Sequence, residues 1–220
     1  MHDSQHIPAI RYTVSSPADT EELAQLLAQA FSTREPIGIA VGITAAEFAA
    51  FVRLQLRSAE TQALTIVARR ADTGEMLGAL LADDGAAGSD GELEKLGEKF
   101  AMVGSILGKL VETYGGAPPV PGELLHLFLL GVSDRAERRG IGQDLVAACI
   151  ANGVRKGYRR ASAECTGRVS QHIFCKLGFE DRGMISYADH EFNGRRIFAS
   201  IAEHGSPILM EKPLQPEPTR

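Results

Sequence analysis

Five consecutive residues, Arg138-Arg139-Gly140-Ile141-Gly142, are the clearest chemical feature of the chain. They follow the apolar run "LHLFLLGV" and precede an amphipathic one, so they read as a strand-to-helix junction. A helix N-terminus presents backbone N–H groups without intrahelical partners, together with the positive end of the peptide dipoles, and both attract anions. Glycine lets the chain bend and lets a phosphate approach with no Cβ in the way, and the two arginines add charge. A diphosphate-bearing cofactor is the expected ligand. The pattern is neither GxxxxGK[ST] nor GxGxxG, so neither common nucleotide fingerprint is indicated. A solvated basic turn that starts with glycine is the alternative these five residues leave open.

The composition bounds what can surround that turn. At 220 residues, 44% hydrophobic and 23% charged, the chain can bury one sizeable core. One domain is expected over 1–220, with a helical insertion at about 83–122. A net charge of −5 argues against a nonspecific nucleic-acid binder, which needs an excess of Lys and Arg. No apolar run approaches the roughly 20 residues of a membrane span, and "MHDSQHIPAI" lacks the form of a secretory signal, so a cytoplasmic protein is expected. Cys149, Cys165 and Cys175 are odd in number and lack CxxC spacing. Neither a disulfide framework nor a metal site is indicated, and all three are expected to be small buried hydrophobes.

The elements follow from periodicity and caps. "IRYTV" (10–14) alternates as a strand does, and a helix then opens with Ser16 as N-cap and Pro17 in first position. Leu23, Leu26, Leu27, Ala30 and Phe31 share its apolar face. "TAAE" (44–47) is a capping box before Phe48, Val52 and Leu56 at spacing four. Residues 64–82 read as a hairpin around "ADTG", and 83–90 as a loop. A helix over about 91–114 and the stiff "GAPPVPG" precede a strand at 123–133. Beyond the glycine turn come a helix with Leu145, Val146, Cys149 and Ile150 on one face, the strand "RRASAEC", and a short helix facing inward through Val169, Ile173 and Leu177. Asn193-Gly194 is a favoured hairpin dipeptide between two strand-like runs, and "SPILMEKPL" supplies a last strand. This order suits an α/β fold, a twisted mixed β-sheet with helices on both faces. The glycine turn then lies at a strand's C-terminal end, where such sheets bind ligands.

The stretch from "LHLFLLGVSDRAERRGIGQDLV" through "RRASAEC" to "KLGFE" resembles the GNAT superfamily of acyl-CoA-dependent N-acyltransferases, in the order and spacing of its parts over about a quarter of the chain. The resemblance implies a GNAT-like sheet, acetyl-CoA as acyl donor, and Arg138, Arg139, Gly140, Ile141 and Gly142 around the coenzyme A diphosphate. Many relatives carry Gln or Arg three residues before the first motif glycine, where this chain has Glu137. "FSTREPIGIAVGI" (31–43), together with Tyr187, Asn193-Gly194, His204 and "LMEK", looks like the arylalkylamine and dopamine N-acetyltransferase branch. Its "DEPL" glutamate, a proposed general base, matches Glu35. The preceding Asp is here Arg34.

The implied reaction sets its own demands. A protonated amine cannot attack a thioester, so a base must take its proton, directly or through water. Glu35 is the candidate, and His126, whose ordinary pKa lies near neutrality, is the rival. Charge on the thioester oxygen calls for an oriented N–H donor, and the resemblance places one near Leu130, with Val132 a backbone partner of the pantetheine arm. A tyrosine that protonates the thiolate in many relatives is here Phe174; Ser170, with Thr166 four residues before it, is the substitute. The inserted helix, apolar through Phe100, Met102, Val103, Ile106, Leu107 and Leu110, reads as a core helix or as a wall of an apolar acceptor pocket. The expected reaction is direct acetyl transfer to a small primary amine in a ternary complex, by a monomer or homodimer that engages neither nucleic acid nor membrane. A protein lysine or N-terminus as acceptor, and a noncatalytic acyl-CoA sensor, are the other readings.

Overall fold

The computed structural model describes residues 9–87 and 96–214. Its strands are β1 (Ile10–Val14), β2 (Ile66–Arg70), β3 (Met76–Asp84), β4 (Leu124–Val132), β5 (Arg160–Cys165), β6 (Glu180–Met184) and β7 (Ile208–Pro213). They form one sheet in the order β1-β2-β3-β4-β5-β7-β6, antiparallel except at β4–β5. The α-helices are α1 (Thr20–Thr33), α2 (Pro36–Val41), α3 (Ala45–Gln55), α4 (Ala59–Leu64), α5 (Glu98–Tyr114), α6 (Ile141–Arg155) and α7 (Arg168–Lys176). None among the described residues is long and apolar enough to cross a membrane.

Strand alternation sends neighbouring side chains to opposite layers. Leu80 and Ala82 join Leu145, Val146 and Cys149 of α6, whereas Ala79 and Leu81 join Leu23 and Leu27 of α1, Phe51 of α3 and Phe100 of α5. Helices therefore cover both faces, as the element order predicts. Gly131 brings α1 tightly onto β4, since a Cβ there would lie 2.7 Å from Leu27 Cδ2. Gly153 does the same for α6, where a Cβ would lie 2.6 Å from Leu125 Cδ2. A third cluster joins Ile37 of α2, Ile106 of α5, Tyr187, Phe198 and Ile201. Helix α5 thus packs into two clusters, through Phe100 and through Ile106.

Several expectations need correction. Asp83 and Asp84 belong to β3 and not to a loop, and α5 starts at Glu98; residues 91–95 lie outside the described ones. A 3-10 turn over Pro17–Asp19, where Ser16 N and Oγ both donate to Asp19 Oδ2 at 2.7 Å, precedes α1. Helix α7 packs Ile173 and Leu177 against the core as expected and buries Phe174 edge-on against Phe179, but leaves Val169 76% exposed. Cys175 is on the surface, whereas Cys149 and Cys165 are buried. Asn193-Gly194 closes only a single bridge, Phe192 to Arg195, and the following run is a 3-10 helix, Ile197–His204, in place of a strand. Its Phe198 and Ile201, three residues apart, both seat in the third cluster, which a strand period of two does not allow.

Candidate active site

Strands β4 and β5 pair only from Leu124–Arg160 to His126–Ser162 and then part. On the other edge of β4 the register slips between Leu81 and Ala82, which pair with Leu129 and Leu127 and leave Phe128 as a bulge. A bulge bends its strand, and here it sits where the split begins. Ser133 N donates to Leu77 O of β3 at 2.8 Å. Because backbone groups alternate in direction along a strand, Leu130 and Val132 present theirs to the open edge. Val132 O accepts there from Arg34 Nη2 at 2.6 Å. The split opens into a cavity of about 750 Å³, lined on one side by Leu127 to Val132 and on the other by Ala163 to Ser170.

The glycine turn lines the same cavity. Arg138 (φ 59°) and Gly140 (φ 79°) both adopt the left-handed region, and Gly140 caps α6. Asp144 N to Gly140 O (3.1 Å) opens the helix, and the backbone N–H groups of Gly140 to Gln143 have no backbone acceptor among the described residues. Arg138, Gly140, Ile141 and Gly142 line the cavity, while Arg139 is exposed outside it. Gly142 is buried, and a Cβ on it would meet Ile173 Cδ1 at 3.1 Å. A strand edge with free groups and a helix N-terminus with free N–H groups therefore face one cavity, an arrangement that fits an amide-containing arm ending in a diphosphate.

Glu35 lines this cavity. It is the N-cap of α2, with Pro36 at the first helical position. Its Oε1 accepts from Ile37 N at 3.1 Å and its Oε2 from Gly38 N at 2.5 Å. Burial raises its pKa above the ordinary carboxylate value; the Gly38 amide, the Thr166 hydroxyl and the Ile37 amide only partly offset this. Tyr187, fully buried, donates its hydroxyl to Thr166 O at 2.7 Å. Burial and the nearby Glu35 charge both raise the Tyr187 pKa and keep it a donor.

Thr166 and Ser170 both line the cavity, but not as one helix face. Helix α7 has Gly167 as its N-cap, so Thr166 stands before the helix. The Ser170 hydroxyl donates to Gly167 O at 2.8 Å and accepts from Gly167 N at 3.4 Å.

His126 is elsewhere. It does not line the cavity; its Nδ1 meets Asp83 Oδ1 at 2.9 Å and its Nε2 meets Glu164 Oε2 at 2.7 Å. Burial works against a charged ring, yet Glu164 and Asp83 outweigh it and raise the pKa well above 6.5. Both nitrogens therefore carry protons and donate, which leaves no lone pair for a base. Stability follows the same sign. A histidine pKa raised by folding stabilises fully below its unfolded value of about 6.5, and the contribution disappears as pH rises through the folded value. His126→Gln is expected to lower the melting temperature by about 3–6 °C near pH 6. The deficit should shrink in strongly alkaline buffer, and a deficit that is constant with pH would show that the ring is neutral.

Beyond Glu35 the lining is aromatic. Phe31 stacks on Phe48 with centroids 4.8 Å apart, and Phe51 meets Phe128 edge-on at 5.7 Å and Phe100 at 5.2 Å. All five line the cavity, with Val103 and Leu107 of α5. Arg34, Glu164 and Tyr187 are site features that no spacing rule selects. A lone acid within "RASAEC" was the one visible signal for Glu164, since an acid in a buried strand needs a partner.

No family model and no curated protein matches the chain. Among solved structures, the mosquito arylalkylamine N-acetyltransferase like 5b superposes with a TM-score of 0.80 at 19% identity, over 94% of this chain and 100% of that one. The Drosophila melanogaster polyamine N-acetyltransferase, which catalyses the formation of N-acetylagmatine, gives 0.73 at 19% identity, over 94% and 100%. The C-terminal condensation domain of Ebony, in complex with beta-alanyl-dopamine, gives 0.79 at 13% identity, again over 94% and 100%. At such identities the likeness is one of architecture: the chain has the α/β fold of the GNAT N-acetyltransferases.

Proposed function

We propose that the protein is an N-acetyltransferase that moves the acetyl group of acetyl-CoA directly to a small primary amine with an apolar, preferably aryl, body. The observation that carries this reading is the single cavity in which an open β4 edge, a helix N-terminus with free N–H groups and a carboxylate of raised pKa converge. The Gly140 to Gln143 amides receive the donor's diphosphate, Arg138 adds charge from the side, and the Val132 N–H pairs with the donor's arm. Glu35 takes the ammonium proton before attack, and the Leu130 N–H meets the oxygen on which charge develops. The phenylalanine wall takes the body of the acceptor and excludes water from it.

Ser170 is the residue we assign to returning a proton to the departing sulfur. Its hydroxyl must turn from Gly167 O to do so, and Phe174, buried below it, offers no hydroxyl of its own. We assign no proton transfer to His126.

The test is thiol release from acetyl-CoA with a panel of aryl-alkyl amines, polyamines and lysine peptides. Aryl-alkyl amines should show kcat/KM at least about tenfold above the other two classes, because only they fill an apolar wall. A preference for peptides would transfer the acceptor to protein lysine. Tight coenzyme A binding with no thiol release from any amine would make the protein a sensor.

A further inference from the structure

Arg34 stands immediately before Glu35, at the C-terminal cap of α1, and lines the cavity. Its Nη1 pairs with Glu137 and lies 2.9 Å from Asp134 Oδ1, and its Nη2 holds Val132 O at 2.6 Å. Glu137 is half exposed and Asp134 more so. Both carboxylates belong to the segment that leads into the glycine turn. Of the two carboxylates only Glu137 lines the cavity, together with Arg138 and Arg34 itself. Two departures from the resembling sequences, Arg34 in place of Asp and Glu137 in place of Gln or Arg, thus meet in space across 103 residues of chain.

We propose that Arg34 is a positioning residue for donor binding: it neutralises Glu137, the carboxylate of this pair that lines the cavity, so that a turn carrying a carboxylate next to its phosphate cradle still accepts a diphosphate. This rests on the reading of the turn as the coenzyme A site. A carboxylate left bare within several ångströms of a diphosphate repels it through a partly desolvated medium, an effect large enough to register in affinity. The Arg34 contribution therefore exists only while Glu137 is charged. The guanidinium suits the task because its planar fork engages carboxylates and a carbonyl at once, whereas an ammonium offers charge alone.

The experiment is calorimetric titration with coenzyme A, paired with steady-state kinetics at saturating acetyl-CoA. Arg34→Ala is expected to weaken coenzyme A about tenfold while kcat stays within about threefold. Glu137→Gln alone should bind at least as tightly as the wild type. The double variant should return to within about threefold of it, because the repelling charge is gone. Arg34→Lys, which keeps the charge and disturbs packing least, should retain most of the affinity. If Arg34 only braces the α1–α2 junction, removing Glu137 will not repair Arg34→Ala and kcat will fall through the displaced Glu35; either result overturns the proposal. A wild type that binds no coenzyme A removes the proposal and the reading of the turn together, whereas wild-type binding without coupling removes the Arg34 role alone.

Discussion

Glu35→Gln is expected to lower kcat about 10²- to 10⁴-fold while leaving the Kd for coenzyme A within about twofold. The asymmetry follows from the contacts: Glu35 is engaged by the Ile37 and Gly38 amides of α2, whereas the free N–H groups of the turn belong to Gly140 to Gln143 and are unchanged in the variant. Glutamine keeps one carbonyl oxygen for the Gly38 amide and so preserves most of the cap, but it cannot accept a proton. The pH dependence gives a second readout. The base works only when ionised, and burial raises its pKa, so the acid limb of kcat/KM should lie above the ordinary carboxylate value of about 4.3 and vanish in the variant. The loss should also shrink for weakly basic amines, which reach the site already neutral. Wild-type turnover in Glu35→Gln, joined to a collapse in His126→Gln, would move the role to the histidine despite its two carboxylate partners.

What was legible in the sequence was what local chemistry encodes. The strand "IRYTV", the Thr44 capping box and the hairpin around "ADTG" each carry their signal within a few residues, and each forms as expected. Helix α2 does not show in the sequence, although Pro36 at the first position is a start signal, because glutamate is not a usual cap residue and six residues are too few to show a period. Strand β6, "EDRGM", hides for another reason: it is an edge strand, and its charged, exposed side chains protect that edge and erase the alternation. The site divides in the same way. The glycine turn is continuous in sequence and could be read, whereas the Asp83–His126–Glu164 cluster needs three adjacent strands in register before its charges meet. His126 considered alone has an ordinary histidine pKa near neutrality; only the assembled sheet supplies the two carboxylates that commit both nitrogens.

Gly142→Val is expected to weaken coenzyme A binding by about one to two orders of magnitude, far more than Arg138→Ala. The two glycines of the turn act differently. Gly140 has open space around it and needs glycine for its φ of 79°, so a valine there strains the backbone of the cap itself. Gly142 has an ordinary φ, but it is buried in the first turn of α6, where a Cβ would already press on Ile173 at 3.1 Å with Val132 and Leu130 just beyond. A valine adds two further methyl groups to that gap. They must displace Ile173 of α7 or fill the mouth of the split, and overpacking of this kind costs about 1–3 kcal/mol. That cost falls on the donor complex, because the free cavity gives the intruding side chain somewhere to go and the bound diphosphate takes it away. Arg138, by contrast, is exposed, and removing its side chain leaves every backbone N–H of the cradle in place. Calorimetry on folded Gly142→Val and Arg138→Ala decides the matter: a larger loss in the arginine variant would mean that side-chain charge, and not the backbone amides, holds the anion.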